Sequence, residues 1–318
     1  MAESTAGGSM ADRARLRVGT RSRRSLAKFV VGVAFWAWVV LRWLNDWAGG
    51  LVVPRQQPFV PPSLFTGLAN AVPDVVPFVA GALRSVAFAV EFLPALVDAF
   101  WLTIVLTGVA TVLGFFIAVP LAGARVYGRL SAWLALGYVE LFRGTPLLAQ
   151  LFVLYYGLPW LPAFFRELPL VGAGFVPGQA VFVAILGFTL NSAAYQAEYI
   201  RGAVESVDPG QLLAARSVGL SRIQGIRFVV FPQALRYAIP GWTNELVYLI
   251  KYSSLAAFIT VPELFQAAQG IASTNYRYTA LFVLSGLLYL ALVVTATTLM
   301  EYVGDVVSVP GVSGTGSR

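Results

Sequence analysis

The side chains of this sequence that could take part in chemistry lie inside long apolar stretches. The chain has no His and no Cys, which excludes acid–base catalysis by imidazole, thiol chemistry and thiolate metal sites. Glu140 and Arg143 are three residues apart and would lie on one face of a helix. Charge in an apolar span is costly, so the two either neutralise each other or line a polar path, and their spacing leaves both open.

Two further apolar stretches carry polar side chains. Asn191 and Gln196 lie in one of them, and Asn244, Glu245 and Lys251 lie in the other. Because unpaired polar groups in hydrocarbon are costly, these side chains are candidates for facing the interior of a helix bundle. For Lys251, the alternative is that it snorkels to the headgroups. The candidates for the lining of a translocation path are therefore Glu140, Arg143, Asn191, Asn244, Glu245 and Lys251.

Enzymatic chemistry has little support in these residues. Lys251 precedes Ser253 and Ser254, which leaves Ser–Lys nucleophilic chemistry as a formal alternative. The segment is otherwise typical of a membrane span. The sequence also contains no Gly-x-x-x-x-Gly-Lys-Ser/Thr loop, so the chain has no phosphate cradle of this kind.

The composition places these groups in a membrane. Of 318 residues, 58% are hydrophobic and 12% are charged, and the mean hydropathy is +0.74. A soluble domain carries about 25% charged residues, so this chain needs lipid as its solvent. The net charge is +7, but the one dense basic run adjoins an apolar span. Nucleic-acid binding is therefore disfavoured.

The hydropathy pattern predicts an all-α integral membrane protein with about six transmembrane helices. Each apolar stretch is long enough for a span of roughly 20 residues. Residues 76–92 are interrupted by Arg84 and Glu91, and we expect them to form an interfacial helix. The predicted spans are residues 29–47, 95–122, 132–158, 178–200, 239–265 and 279–303.

The basic residues orient these spans. Most of the 22 Lys and Arg residues fall on the side of the N-terminal tail, which predicts cytoplasmic N- and C-termini and a cytoplasmic interval at residues 201–236. Residues 22–28 resemble a twin-arginine export signal. Several spans follow them, however, so a basic cytoplasmic tail over residues 1–28 is favoured.

The cytoplasmic interval contains a small helical element, Asp208–Pro232. Asp208 can cap a helix that starts at Pro209, and Gln211 has the spacing of a capping box. Gly219 is placed to end that helix. A second helix is predicted to follow the glycine.

The second helix of this element has its own signals. Ser221 and Gln224 have capping-box spacing, and Pro232 is predicted to end the helix. Apolar side chains in a polar loop, together with basic ones, predict an element that docks into a groove on another protein. Compact filler is the alternative. The apolar residues are Leu212, Leu213, Val218 and Leu220, and the basic ones are Arg216, Arg222 and Arg227.

The stretch GQLLAARSVGLSRIQGIRFVVFP resembles the EAA loop of ABC-importer permeases, whose pattern is Glu-Ala-Ala, three residues, Gly, nine residues, and Ile-x-Leu-Pro. Leu213 stands where the family usually has Glu. The matching positions are Ala214, Ala215, Gly219 and Pro232, with Val229 and Phe231 for the Ile and Leu. The ATPase-coupling residues that the resemblance implies are Asp208, Gly210, Leu213, Ala214, Ala215, Gly219 and Pro232.

Four further segments resemble the polar amino-acid uptake permeases. They are VELFRGTPLLAQLFVLYYGLP (139–159), EYIRGAVESVDPGQ (198–211), PQALRYAIP (232–240) and KYSSL (251–255). In the last, Tyr252 and Ser253 replace the usual Asp and Thr. The resemblance covers about residues 93–303, so residues 29–92 would form an extra N-terminal helix and external loop, and residues 304–318 a cytoplasmic tail.

The resemblance implies a type I ABC-importer permease fold in the cell membrane. It implies four kinds of partner: ABC ATPase subunits, a second permease subunit, an extracytoplasmic solute-binding protein and a polar amino acid. ATP and Mg would be bound by the ATPase, and no cofactor or metal by this chain. A secondary transporter or channel without an ATPase is the alternative, in which the Asp208–Pro232 element would have no evident role.

Overall fold

The computed structural model describes residues 30–73, 76–173 and 176–307, and these residues contain helices and no strands. The all-α prediction is therefore confirmed. The helices are α1 (described over residues 30–47), α2 (Pro62–Ala71), α3 (Pro77–Tyr127), α4 (Leu130–Gly144), α5 (Leu147–Phe152), α6 (Trp160–Glu167), α7 (Gln179–Glu205), α8 (Pro209–Ser217), α9 (Arg222–Gly225), α10 (Phe231–Tyr252), α11 (Leu264–Asn275) and α12 (Tyr278–Val307). Two π turns, Val153–Gly157 and Ile226–Val230, and a 3₁₀ segment, Ser253–Ile259, extend them.

Three of these helices, α3, α7 and α12, are long and apolar enough to cross a membrane. Two bent pairs also qualify. Leu147–Gly157 meets α6 at 71°, and Arg222–Ile259 meets α11 at 54°. The described residues thus supply up to five spans. The first predicted span, residues 29–47, begins outside them.

Helix α3 differs from the sequence prediction. Residues 76–92 and 95–122 were expected to be an interfacial helix and a separate span, but they belong to one helix of 51 residues with Pro94 and Pro120 inside it. At a rise of 1.5 Å per residue it is about 75 Å long, more than twice the thickness of the hydrocarbon layer. Arg277 lies 4.8 Å over the Phe88 ring and links the first part of α3 to the turn before α12.

The predicted span at residues 132–158 is also divided. Helix α4 ends at Gly144, Thr145 is extended, and Pro146 precedes α5. Helix α6 then lies between the predicted spans 132–158 and 178–200. The reason is the Gly144–Pro146 pair, since proline has no N–H group to continue a helix.

The residues between α1 and α2 fold back on the end of α1. Asn45 donates to the Val53 carbonyl and accepts from the Val52 N–H, both at 2.9 Å. Arg42 forms an ion pair with Asp46 at 2.7 Å. Residues 30–60 therefore belong to one unit, and the chain divides after Val60. The boundary predicted at residue 93 lies inside α3.

The second unit is built around α7, which packs most extensively against α3 and α10. Its buried side is rich in Ala, so neighbouring helices approach closely. Two apolar clusters result. One contains Phe188 and Leu151, and the other contains Ile200, Val207 and Val230.

A buried carboxylate holds the bend between α10 and α11. Glu263 is fully buried and caps α11 by accepting from the N–H groups of Phe265 at 3.0 Å and Gln266 at 2.8 Å. The Tyr289 hydroxyl in α12 donates to the same carboxylate at 2.7 Å. The carboxylate thus joins the start of α11 to α12.

We expect Glu263→Ala to lower the free energy of unfolding by about 2 kcal/mol, because it removes a helix cap and leaves buried donors without a partner. The measurement is the thermal unfolding temperature of the purified protein in detergent. Glu301→Ala, at an exposed position of α12, is the control and should change little. Equal melting temperatures for the two variants would contradict the assigned role of Glu263.

Candidate functional site

The predicted cap of α8 is present. Asp208 is its N-cap, and the carboxylate accepts from the Gly210 N–H at 2.7 Å. The capping box expected with Gln211 is replaced by this shorter-range bond, while Gln211 donates its own backbone N–H to the Asp208 carbonyl at 2.9 Å. Pro209 occupies the first turn, as predicted.

Gly219 ends α8, as predicted. Its φ is +92°, in the left-handed region that favours glycine. The Leu220 N–H donates to the Ala215 carbonyl and the Gly219 N–H to the Arg216 carbonyl, both at 3.1 Å. This pair of bonds is a Schellman motif, and it reverses the chain direction before the second helix.

The second helix begins as predicted and ends elsewhere. Ser221 and Gln224 form a complete capping box. Pro232 does not end the helix, because the chain stays helical from Arg222 to Ile259. The π turn Ile226–Val230 ends two residues before this proline. A wider turn at that point relieves the clash and the missing hydrogen bond that proline imposes on an α-helix.

The two short helices pack on each other at Gly225. A Cβ atom at Gly225 would lie 2.7 Å from Leu212 Cδ1 and 3.4 Å from the Ala215 Cβ. Because of this close contact, α8 and α9 form one compact unit. Sequence analysis did not identify Gly225, although a glycine in the middle of a helical pattern can indicate that two helices approach closely.

We call residues 208–232 the coupling element, after the role that the resemblance to ABC-importer permeases implies. Its inner side joins the helix bundle, since Val230, together with Val207 directly before the element, is buried in the cluster that contains Ile200. The outer side is exposed and apolar. Of the residues predicted to form an apolar knob, Leu213 and Val218 are exposed, whereas Leu212 and Leu220 are half-buried. The exposed fractions of the large apolar residues are Leu213 65%, Val218 78%, Ile223 77% and Phe228 61%.

A cluster of ionic side chains lies about three helical turns before the coupling element on α7. Glu198 accepts from Arg125 of α3 at 3.2 Å and from Arg201 of its own helix. Arg143 of α4 is 4.0 Å from the same carboxylate, and Arg201 also binds Glu205 at 2.6 Å. We call Glu198, Arg125, Arg143 and Arg201 the ionic cluster. It connects three helices through one carboxylate.

Arg143 therefore has a different partner from the one expected. The hypothesis of mutual neutralisation paired it with Glu140, but its ion pair is with Glu198. Its guanidinium also lies 5.2 Å over the Tyr195 ring. Glu140 is exposed on α4. The side chain of Arg143 keeps 36% of its surface exposed, against 27% for Arg201 and 17% for Arg125, so it is the most accessible arginine of the cluster.

Glu245 of α10 lies near Arg143. It is buried, and Ser192 of α7, Arg143 and Tyr199 are in its surroundings. Carboxylates on two different helices, those of Glu198 and Glu245, therefore lie near one guanidinium. Of the candidates for a polar path, the structure brings together Arg143 and Glu245.

Asn191 has a different environment. It is buried and donates to the Phe142 carbonyl and to Gln150 Oε1, both at 3.1 Å. Gln150 in turn donates to the carbonyls of Phe142 at 2.8 Å and Thr145 at 3.1 Å. The two amides satisfy carbonyl groups that the break between α4 and α5 leaves without helical partners. Asn191 thus holds the broken helix in place.

The remaining candidates are exposed on α10. Asn244 and Lys251 are both accessible, and the Lys251 Nζ lies 5.9 Å over the Tyr248 ring.

The Ser–Lys alternative does not fit this arrangement. The hydroxyls of Ser253 and Ser254 donate to the backbone carbonyls of Ile250 at 2.8 Å and Lys251 at 2.9 Å. Within residues 30–73, 76–173 and 176–307, no group of three or more acidic side chains could hold a metal ion.

Residues 110–308 match the family model described as "Binding-protein-dependent transport system inner membrane component". The nopaline transport system permease protein NocM of Agrobacterium fabrum is 40% identical over 202 residues, which are 63% of this chain and 83% of that protein. The histidine/lysine/arginine/ornithine transport system permease protein HisM of Escherichia coli is 33% identical over 199 residues, 60% of this chain and 77% of that one.

The fold is also similar to solved structures. A chain from the crystal structure of an amino acid ABC transporter with histidines is 29% identical, with a TM-score of 0.58, and the match covers 68% of this chain and 95% of that chain. An inward-facing structure of the MetNI methionine ABC transporter has a TM-score of 0.54 at 23% identity.

We expect Glu198→Gln to lower the free energy of unfolding by about 1–3 kcal/mol, because it leaves partly buried guanidinium groups without their charged partner. Glu205→Gln is the matched control. Glu205 has the same chemistry, but its side chain is 52% exposed, so we expect a loss of at most about 1 kcal/mol. Thermal unfolding of both variants in detergent measures the difference. Equal losses would show that the ionic cluster contributes no more than a surface ion pair.

Proposed function

We propose that this chain, which belongs to the family of binding-protein-dependent transport system inner membrane components, is the permease subunit of an ATP-driven importer of polar amino acids. Membership of the family and relatives that are permease proteins confirm the transport function predicted from the sequence. The names of those relatives, which include amino-acid and opine systems, support the substrate class. The chain is not an enzyme, and ATP hydrolysis is carried out by a partner subunit.

The coupling element carries the mechanical part of this proposal. Its outer side exposes Leu213 and Val218, and its inner side is anchored by Val207 and Val230 in the core of the bundle. A force applied to the exposed side is therefore transmitted to α7 and α10. The ATPase subunits bind ATP and Mg, and their closure would push this element and shift the packed helices between two arrangements.

The substrate path in this proposal passes Arg143 and Glu245. A free amino acid carries a carboxylate and an ammonium group. The planar guanidinium of Arg143 suits the carboxylate, and the buried Glu245 suits a cation. Asn244 and Lys251, exposed on the same helix as Glu245, would extend the path. Glu140 would lie at its edge. A second permease subunit would complete the path, and an external solute-binding protein would deliver the substrate on the side opposite the cytoplasmic termini.

We expect Gly219→Val to uncouple transport. The left-handed φ of Gly219 costs a β-branched residue at least about 1–2 kcal/mol, although an added Cβ would meet no atom within 4 Å. Strain rather than a clash would distort the coupling element. The measurement is ATP-dependent uptake and ATPase association in proteoliposomes, and both should fall. Gly202→Val, in α7 with equally open surroundings, is the control. If uptake and association by Gly219→Val both match the wild type, the coupling role is wrong.

We expect Arg143→Lys to raise the KM for uptake by about tenfold or more, because lysine keeps the charge but not the planar two-point hydrogen bonding of arginine. The assay uses labelled arginine, glutamine, histidine and glutamate in proteoliposomes that contain the ATPase and the binding protein.

Arg125→Lys is the control for Arg143→Lys. Arg125 binds the same Glu198 carboxylate, but its side chain is only 17% exposed. Its interaction therefore supports the fold and not the binding of substrate, and we expect KM to change less than threefold. An unchanged KM in the Arg143 variant would remove Arg143 from the path.

A further inference from the structure

The outer side of the coupling element has a distinct chemistry. Leu213, Val218 and Ile223 are each more than 60% exposed. Large apolar groups gathered on the exposed side of a polar loop indicate a protein contact. We propose that this surface fits a groove on the partner ATPase with an apolar floor and an acidic rim. The proposal rests on the docking role of the coupling element and adds the chemistry of its partner.

The acidic rim follows from the charges of the element. Residues 208–232 contain three arginines and one carboxylate. The carboxylate, Asp208, already caps α8 through the Gly210 N–H. The three arginines are all exposed. A positively charged surface is complemented by acidic groups on its partner.

Neighbouring aromatic rings hold two of these arginines in place. Arg222 lies 5.8 Å over the Tyr127 ring at the end of α3, and Arg227 lies 5.5 Å over the Phe228 ring. Both distances are within the range of cation–π attraction. The guanidinium groups are thus restrained before binding, which lowers the entropy lost when the complex forms.

The apolar floor follows from Leu213. Its side chain is 65% exposed, and Arg216 lies three residues further along α8, on an adjoining position of the helix surface. A glutamate at position 213 would partly neutralise Arg216 and would face the proposed acidic rim. Its burial in an apolar floor would also cost desolvation energy. Leucine at this position therefore favours a partner groove with an apolar floor over a groove that binds a carboxylate.

The test measures binding of the cognate ATPase subunit to the full-length permease in nanodiscs. We expect Leu213→Glu to weaken binding by about tenfold or more and Leu213→Met to keep it within about threefold. The double variant Arg216→Glu, Arg227→Glu should lose about tenfold or more and should show a weaker dependence on salt. Arg166→Glu, at an exposed position of α6, is the control for a change of charge elsewhere.

The outcomes separate this inference from the docking role. If the wild type binds and Leu213→Glu binds equally or more tightly, the apolar floor and acidic rim are wrong and docking stands. If the wild type does not bind a folded ATPase that binds ATP, the docking role itself is wrong. Thermal unfolding of each permease variant checks that the variant is still folded. A folded variant that binds the ATPase more weakly supports the inference.

Discussion

Backbone groups that a helix leaves unpaired in apolar surroundings have to be hydrogen-bonded by protein, and this requirement accounts for most of the buried polar side chains described above. At the break between α4 and α5, Gln150 and Asn191 bind the free carbonyls. At the bend before α11, Glu263 binds the free N–H groups. The amide N–H groups donate to the free carbonyls, and the carboxylate accepts from the free N–H groups. Each side chain therefore has the hydrogen-bonding character that its site requires.

This requirement separates two kinds of polar residue that look alike in a sequence. Asn191 was grouped with Arg143 as a possible lining of a path, but its donors are used by the Phe142 carbonyl and Gln150. Arg143 keeps an exposed guanidinium near Glu198 and Glu245. Satisfied hydrogen bonds thus identify Asn191 as a residue that supports the fold, whereas in the proposed function Arg143 would bind the ligand.

The sequence predicted features that depend on neighbours in the chain. The Asp208 cap, the Gly219 turn and the Ser221 box each arise from a few consecutive residues, and all three are present. The predicted spans at residues 178–200 and 279–303 correspond to α7 and α12 for the same reason, because such a span is a property of about 20 consecutive residues. The resemblance to ABC-importer permeases supplied the fold, which pattern alone would not have given.

Features that depend on distant neighbours were missed or misjudged. Pro232 was taken as a helix end, yet the preceding π turn accommodates it. Arg84 and Glu91 suggested an interruption, but α3 is continuous through both of them and through Pro94. A proline disrupts a helix only when nothing else satisfies the freed groups. The pairing of Arg143 with Glu198 was also invisible, since the two residues are 55 positions apart.

Helix α7 joins these features into one mechanical unit. Its first half holds the broken helix through Asn191, its second half carries Glu198 of the ionic cluster, and Val207 directly after it anchors the coupling element. From residue 191 to residue 205 the helix rises about 20 Å. A rigid helix cannot move at one end alone, so a shift of the coupling element must also change the contacts of Glu198 or move the helices that Glu198 binds. The ionic cluster therefore lies where motion of the coupling element would reach α3 and α4.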